Sequence, residues 1–392
     1  MRISSKLLAL PVLALSLLAG PVNAETGLTE QQRAELEQLA PDLDITPERL
    51  EELREIIHDR SRSVEERIEV LQEITDFDPA EPVERTVCVW DIAGRSGPIF
   101  QAAQDQRSEL LTYGADITME AYTNEGVMVE DLQSGRCDAA LMTGLRARIF
   151  NKYTGTIDAV GAVPTDEHMD ILMRVLTDPR QAEMMEEGNY VIMGIAPAGA
   201  AYIFVNDREI NSLAQAAGKR VAVLDYDETQ AEMVAQVGAT PVPSDISSAP
   251  NRFNNNVVDV LAAPLAAYEV MELYRGMEPD GAIIDYPLAQ ITMQLVGRRD
   301  RFPTEVAQLV RESFYENISE IREQVRAEEE RVPERWFEPI PEEDQQEYEV
   351  MMQDARIQLR DDDYYHADML TLQRRIRCRL EPDRYECTDP VE

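Results

Sequence analysis

Lysine is almost absent from this 392-residue chain, which holds only Lys6, Lys152 and Lys219. The other cations are arginines, and 37 Lys and Arg against 75 Asp and Glu leave a formal net charge of −38. That balance argues against nucleic acid as a partner. It fits an acidic surface that stays soluble and screened in salty surroundings. Histidine is scarce as well, limited to His58, His168 and His366. These histidines and the four cysteines show no zinc-binding spacing, and no other cofactor is implied. No histidine lies in the loops expected around Ser96, and Gly94-Arg95-Ser96-Gly97 is not a Gly-x-Ser-x-Gly elbow, so nucleophilic hydrolysis has little support. The Gly-x-Gly-x-x-Gly fingerprint is missing, and no phosphate loop precedes Gly218-Lys219. One apolar run stands out: Arg2 and Lys6, then Leu7 to Leu18, then Val22-Asn23-Ala24 read as a secretory signal peptide cleaved after Ala24. The run is too short to span a bilayer, and no cysteine follows the cleavage point to carry a lipid. Cleavage removes two cations and no acid, taking the charge from −38 to −40 and leaving a chain expected to be soluble outside the cytoplasm.

The most informative passage runs from Arg220 to Pro264. Val221-Ala222-Val223-Leu224 reads as a parallel strand buried on both faces. It opens onto a polar loop, Asp225 to Thr229, and a helix with Met233, Val234 and Val237 at helical spacing, capped by Gly238. Thr240 to Pro243 then reads as an extended piece and Val257 to Ala262 as a second buried strand. This is β/α alternation, with polar loops at the strand ends where open α/β sheets bind ligands.

Four zones follow along the mature chain. Residues 25–82 look wholly helical, with starts at Thr29-x-x-Gln32, Thr46-Pro47 and Ser63-x-x-Glu66. Strands Val87 to Asp91, Ile117 to Tyr122 and Ala139 to Met142, with helices beginning near Pro98 and Glu125, make a first α/β lobe over residues 83–199. Residues 200–285 make a second lobe, entered by the strand Tyr202 to Val205, and residues 286–302 return to the first by the strand Ile291 to Val296. Residues 303–392 are helical: Val306, Val310, Phe314, Ile318, Ile321 and Val325 stripe one long helix, and Tyr348, Met351, Met352, Ala355 and Leu359 another. Asp361-Asp362-Asp363 lacks a calcium-loop pattern and reads as a solvated helix end. In an exported chain the cysteines invite pairing: Cys378 with Cys387 across a short loop, and Cys88 with Cys137 on neighbouring strands.

Two lobes with two crossings and long C-terminal helices resemble a periplasmic solute-binding protein. The stretch from Gly218-Lys219-Arg220-Val221 through Gly238-Ala239-Thr240-Pro241-Val242-Pro243 to Asp259, and that from Tyr286 to Phe302-Pro303, are similar to the second lobe of TRAP-type binding proteins. Cys88-Val89-Trp90-Asp91-Ile92-x-Gly94-x-Ser96-Gly97, Thr143-Gly144-x-Arg146, Phe150-Asn151-Lys152-Tyr153-Thr154-Gly155 and Ile157-Asp158-Ala159 resemble AdeT-like solute-binding proteins, a group associated with RND-type efflux and aminoglycoside resistance. The resemblance covers roughly residues 84 to 390. It implies a periplasmic, non-enzymatic protein of two hinged α/β lobes, with an N-terminal helical layer and long C-terminal helices, that hands a small molecule to a membrane transporter. An adaptor of an RND-type efflux system is the alternative, and the helical layer has no evident ligand role.

In the TRAP family an Arg in the strand after the Gly-Lys pair grips the substrate carboxylate; here that position is Ala222. Arg146 or Arg148 is expected to take over. Strand ends nominate the remaining cleft residues: Trp90, Asp91, Arg95 and Ser96 after the first strand, Thr123 and Glu125 after the second, Thr143, Arg146 and Arg148 after the third, and Asp225 and Tyr226 in the second lobe. The expected ligand is a small organic anion. A cation held by Asp91, Glu125 or Asp225 beside Trp90 or Tyr226 is the competing case.

Overall fold

The computed structural model describes residues 46–340 and 342–392. The signal peptide and the expected helix start at Thr29 lie outside them. The chain divides into two units, the first ending at Ile74 and the second running from Thr75 to Glu392. In the first, helices Pro47–His58 and Val64–Leu71 start where expected, because the Thr46 hydroxyl accepts from the Arg49 N–H and the Ser63 hydroxyl from the Glu66 N–H. Leu50, Leu53, Ile57, Ile68, Leu71 and Ile74 are its buried apolar positions among the described residues.

The second unit is built on one sheet. Its strands are β1 (Val83–Trp90), β2 (Ala115–Tyr122), β3 (Ala139–Thr143), β4 (Glu186–Glu187), β5 (Tyr190–Val205), β6 (Arg220–Leu224), β7 (Thr240–Ser244), β8 (Val260–Pro264), β9 (Ala282–Arg298) and β10 (Phe337–Glu338). The order is β2-β1-β3-β9-β5-β8-β6-β7, with β10 beside β9 and β4 beside β5. β1, β2 and β3 are mutually parallel, as are β6, β7 and β8. Between these two sets run the long antiparallel strands β5 and β9. Each parallel set places its first strand in the middle, so the chain leaves β1 for β2 on one side and then reaches β3 on the other; β6, β7 and β8 repeat this. Such reversals open a crevice at the carboxyl ends of the strands.

β5 and β9 extend well beyond the short pieces expected, Tyr202 to Val205 and Ile291 to Val296. Apolar residues run through both, and the ladder is continuous except for three register shifts. At the widest, Tyr202 alone stands opposite Asp285 to Leu288, between the pairs Ala201 with Ala289 and Ile203 with Ile284. Only Val223 of β6 is fully buried, because β6 lies one strand from the sheet edge; Val221 and Ala222 are half-buried against different clusters. β8 begins three residues later than expected, since Asn256 adopts φ 55° and turns the chain first.

The stripe from Val306 to Val325 is carried by two helices rather than one, Thr304–Glu316 and Ile318–Glu329. Between them the Asn317 side chain donates to the Ser313 carbonyl at 2.9 Å, a local bond that competes with helix continuation. The first helix lies on β5 at Gly194, where a Cβ would come within 2.7 Å of the Phe314 ring. Both disulfides expected, Cys88–Cys137 and Cys378–Cys387, are formed. No helix among the described residues is long and apolar enough to cross a membrane.

Candidate functional site

The eleven nominated residues separate into groups. Arg95, Ser96, Thr123 and Asp225 are exposed. The Ser96 hydroxyl donates to the Ala93 carbonyl, and helix Glu125–Gln133 is capped by Asn124, not Thr123. Asp91 is buried at 1% exposure, but its carboxylate is committed to the fold. One oxygen accepts from the Ala93 N–H, and the other from the N–H groups of Ile99 and Phe100 in the first turn of helix Pro98–Asp105. Arg148 is committed too: it donates twice to the Gly155 carbonyl, at 3.1 and 3.3 Å, and once to the Tyr364 hydroxyl. Its guanidinium also faces Asp227 at 4.0 Å.

Glu125, Thr143, Arg146 and Tyr226 come together. Thr143 ends β3, and its hydroxyl accepts from the Arg146 N–H, starting the short turn that aims Arg146. The Thr143 N–H donates to Glu125 Oε1 at 2.6 Å. Across the crevice, the loop after β6 lays the Tyr226 ring against Arg146, with the guanidinium carbon 3.4 Å from the ring centroid. Glu125 Oε2 lies 3.8 Å from Arg146 Nε, an ion pair too long to be a hydrogen bond.

Three fully buried polar atoms here have no hydrogen-bond partner within the protein, Glu125 Oε2, Arg146 Nε and the Tyr226 hydroxyl; Trp90 Nε1, at the end of β1, has none either. Each such group costs about 1–3 kcal/mol if left unpaired, more when charged. Burial raises the Glu125 carboxyl to about 7, against the lowering effect of the Thr143 bonds and Arg146, while Asp245 pushes it further up. Burial and then the Glu125 charge also raise the Tyr226 phenol. The arrangement offers donors from Arg146 and Tyr226 and one carboxylate acceptor, in a dry setting and without a nucleophile–base pair. Among the described residues no three His, Cys, Asp or Glu side chains gather as metal ligands.

Behind Arg146, sequence reading singled out neither Asp158 nor Thr292. Asp158 is buried and takes the Thr292 hydroxyl at 2.7 Å and its N–H at 3.2 Å, which ties the segment after helix Lys152–Gly155 to β9. Burial raises its carboxyl to about 7. Gly144 is what lets them meet: a Cβ there would lie 2.3 Å from the Thr292 hydroxyl and 2.5 Å from the Asp158 carboxylate. Asp227 and Tyr364 were also missed. The Tyr364 hydroxyl donates to Asp227 Oδ2 at 2.5 Å while accepting from Arg148, so it joins the loop after β6 to the turn after β3. Only Asp158 had a signal, in the string Ile157-Asp158-Ala159. A cavity of about 240 Å³ lies elsewhere, between Tyr286, Pro287 and Ala289 of β9 and the residues Met352, Arg356 and Arg384.

Two parallel α/β lobes bridged by two long strands, with buried polar groups facing each other from the strand ends, define a two-lobed solute-binding protein. Among solved structures, the TRAP periplasmic solute-binding protein of Desulfovibrio salexigens with bound orotic acid has a TM-score of 0.63 at 15% identity, covering 76% of this chain and 99% of that one. That of Xanthobacter autotrophicus Py2 with bound β-D-galacturonate has a TM-score of 0.59 at 16% identity, covering 74% and 99%. In sequence, the probable solute-binding protein AdeT1 of Acinetobacter baumannii is 39% identical over 299 residues, 76% of this chain and 98% of that protein. The model of the family "Solute-binding protein AdeT 1/2" matches residues 109–391, and the chain belongs to that family.

Proposed function

We propose that this solute-binding protein takes a small carboxylate-bearing molecule between its lobes, in the periplasm, and passes it to an inner-membrane transporter without chemical change. In this reading residues 83–199 and 286–302 are one lobe and 200–285 the other, with the chain exported by cleavage after Ala24. The observation that carries it is Arg146: buried at 8% exposure, stacked on Tyr226, with an Nε–H that no protein atom accepts. In a chain of net charge −40 after cleavage an anion needs such a close cation to overcome the long-range field. Arg146 also supplies what Ala222 cannot, since Ala222 is half-buried in β6 beside Val242. The orotic acid and galacturonate bound by the structural neighbours are both carboxylates, which supports the class of ligand.

Calorimetry on Arg146→Ala is the test. Losing a charge-assisted contact in a dry cleft is worth about 2–5 kcal/mol, so binding of the co-purifying solute should weaken by roughly thirtyfold or more with the melting temperature near that of the parent. Unchanged affinity would remove the carboxylate reading.

A further inference from the structure

Glu125 is the one group of the cluster that an anion does not explain. It is wholly buried, at 0% exposure, and places a negative group in a site whose other polar atoms suit an anion. Its Oε1 is satisfied by the Thr143 N–H at 2.6 Å, but Oε2 is not satisfied at all. Arg146 faces it as an ion partner without hydrogen-bonding it: Nε stands 3.8 Å from Oε2, and the guanidinium carbon lies 3.4 Å from the Tyr226 ring centroid. A solute bearing only carboxylate oxygens would set negative charge against Oε2, where Asp245 already adds to the negative potential. One carrying a donor beside its carboxylate would satisfy Oε2 and the donors of Arg146 and Tyr226 together.

Resting on the carboxylate reading above, we propose that the solute is an acid with a hydroxyl, amine or amide N–H next to its carboxylate, and that Glu125 is the residue that selects for that donor. A site built to accept a hydrogen bond from a substrate group discriminates strongly against the analogue lacking it, because the buried acceptor is then stranded. Selection of this kind needs no change in Arg146, which binds what both analogues share.

The test is a thermal-shift screen of small carboxylic acids arranged in pairs that differ by one hydroxyl or amino group, such as malate with succinate, lactate with propionate and glutamate with glutarate. It is followed by calorimetry on the pairs that bind, at about pH 8 where Glu125 is ionised. The donor-bearing member should bind about tenfold or more tightly. In Glu125→Gln, which keeps the shape and removes the charge, each pair should fall within about threefold, chiefly because the plain acids gain. Arg146→Ala should weaken both members alike. Equal or tighter binding of the plain acids by the parent, or a ratio unchanged in Glu125→Gln, overturns the role of Glu125. If Arg146→Ala still abolishes binding in that case, the carboxylate reading stands. A screen in which no acid of either kind shifts the melting temperature overturns both.

Discussion

Two arginines a single residue apart show how little a strand end alone decides. Arg146 and Arg148 both follow β3, and the same reasoning nominates both. Arg148 is drawn into structure by Gly155, Tyr364 and Asp227, whereas Arg146 meets only Tyr226 and, at a distance, Glu125. The difference arises because Gly155, seven residues on, and Tyr364, from the distant C-terminal segment, both reach Arg148 and neither reaches Arg146, and no local pattern announces the second. Asp158 behaves similarly, buried for the sake of Thr292 on β9. Its carboxyl is raised to about 7, so the folded state holds a proton that the unfolded state releases near the ordinary aspartate value. Stability contributed at this position is therefore greatest in acid and falls as pH rises from about 4 to about 7. Asp158→Asn, which cannot ionise, should gain stability relative to the parent across that window, by up to about 1 kcal/mol per pH unit, and the gain should level off above it. Urea titrations at several pH values read this directly, and a constant difference across the window would refute it.

Elements were far more legible than their roles. β1, β2, β3, β6 and β7 lie within a few residues of the positions that apolar runs predict, because each is a short strand packed by local β/α neighbours. β5 and β9 were seen only as fragments, since their glycines, prolines and polar residues interrupt the apolar pattern that marks a strand. What Asp91 does was equally hidden: the residue reads as a cleft carboxylate, yet it holds the first turn of helix Pro98–Asp105. Gly97 makes that possible, for a Cβ at this position would sit 1.8 Å from Asp91 Oδ1. Gly97→Ala should therefore displace the carboxylate and lose about 1–3 kcal/mol of stability by denaturant unfolding, with the sheet intact by circular dichroism. A loss below a few tenths would show that the loop relaxes freely.

The molecule as a whole is organised around β5 and β9, which carry one lobe into the other without a break in the chain. Their ladder loses register where Tyr202 stands opposite Asp285 to Leu288, the place where bending costs the fewest hydrogen bonds. Closure about such a point would be a balance between populations, shifted by a solute through its extra contacts in the closed form. Tyr364 weighs on the same balance from outside the binding site. By donating to Asp227 and accepting from Arg148, it links the two sides of the crevice without belonging to the Glu125, Arg146 and Tyr226 cluster. In a protein that closes on its solute, such a contact would act as a gain control, setting how often the empty protein is already shut and so multiplying the apparent affinity for every solute by one common factor. Tyr364→Phe, which removes the hydroxyl and keeps the ring, should weaken two unlike ligands by the same severalfold factor, leaving the ratio of their dissociation constants where it was. Selectivity would then be written in the cleft and sensitivity in the C-terminal helices, so that each can drift in evolution without disturbing the other.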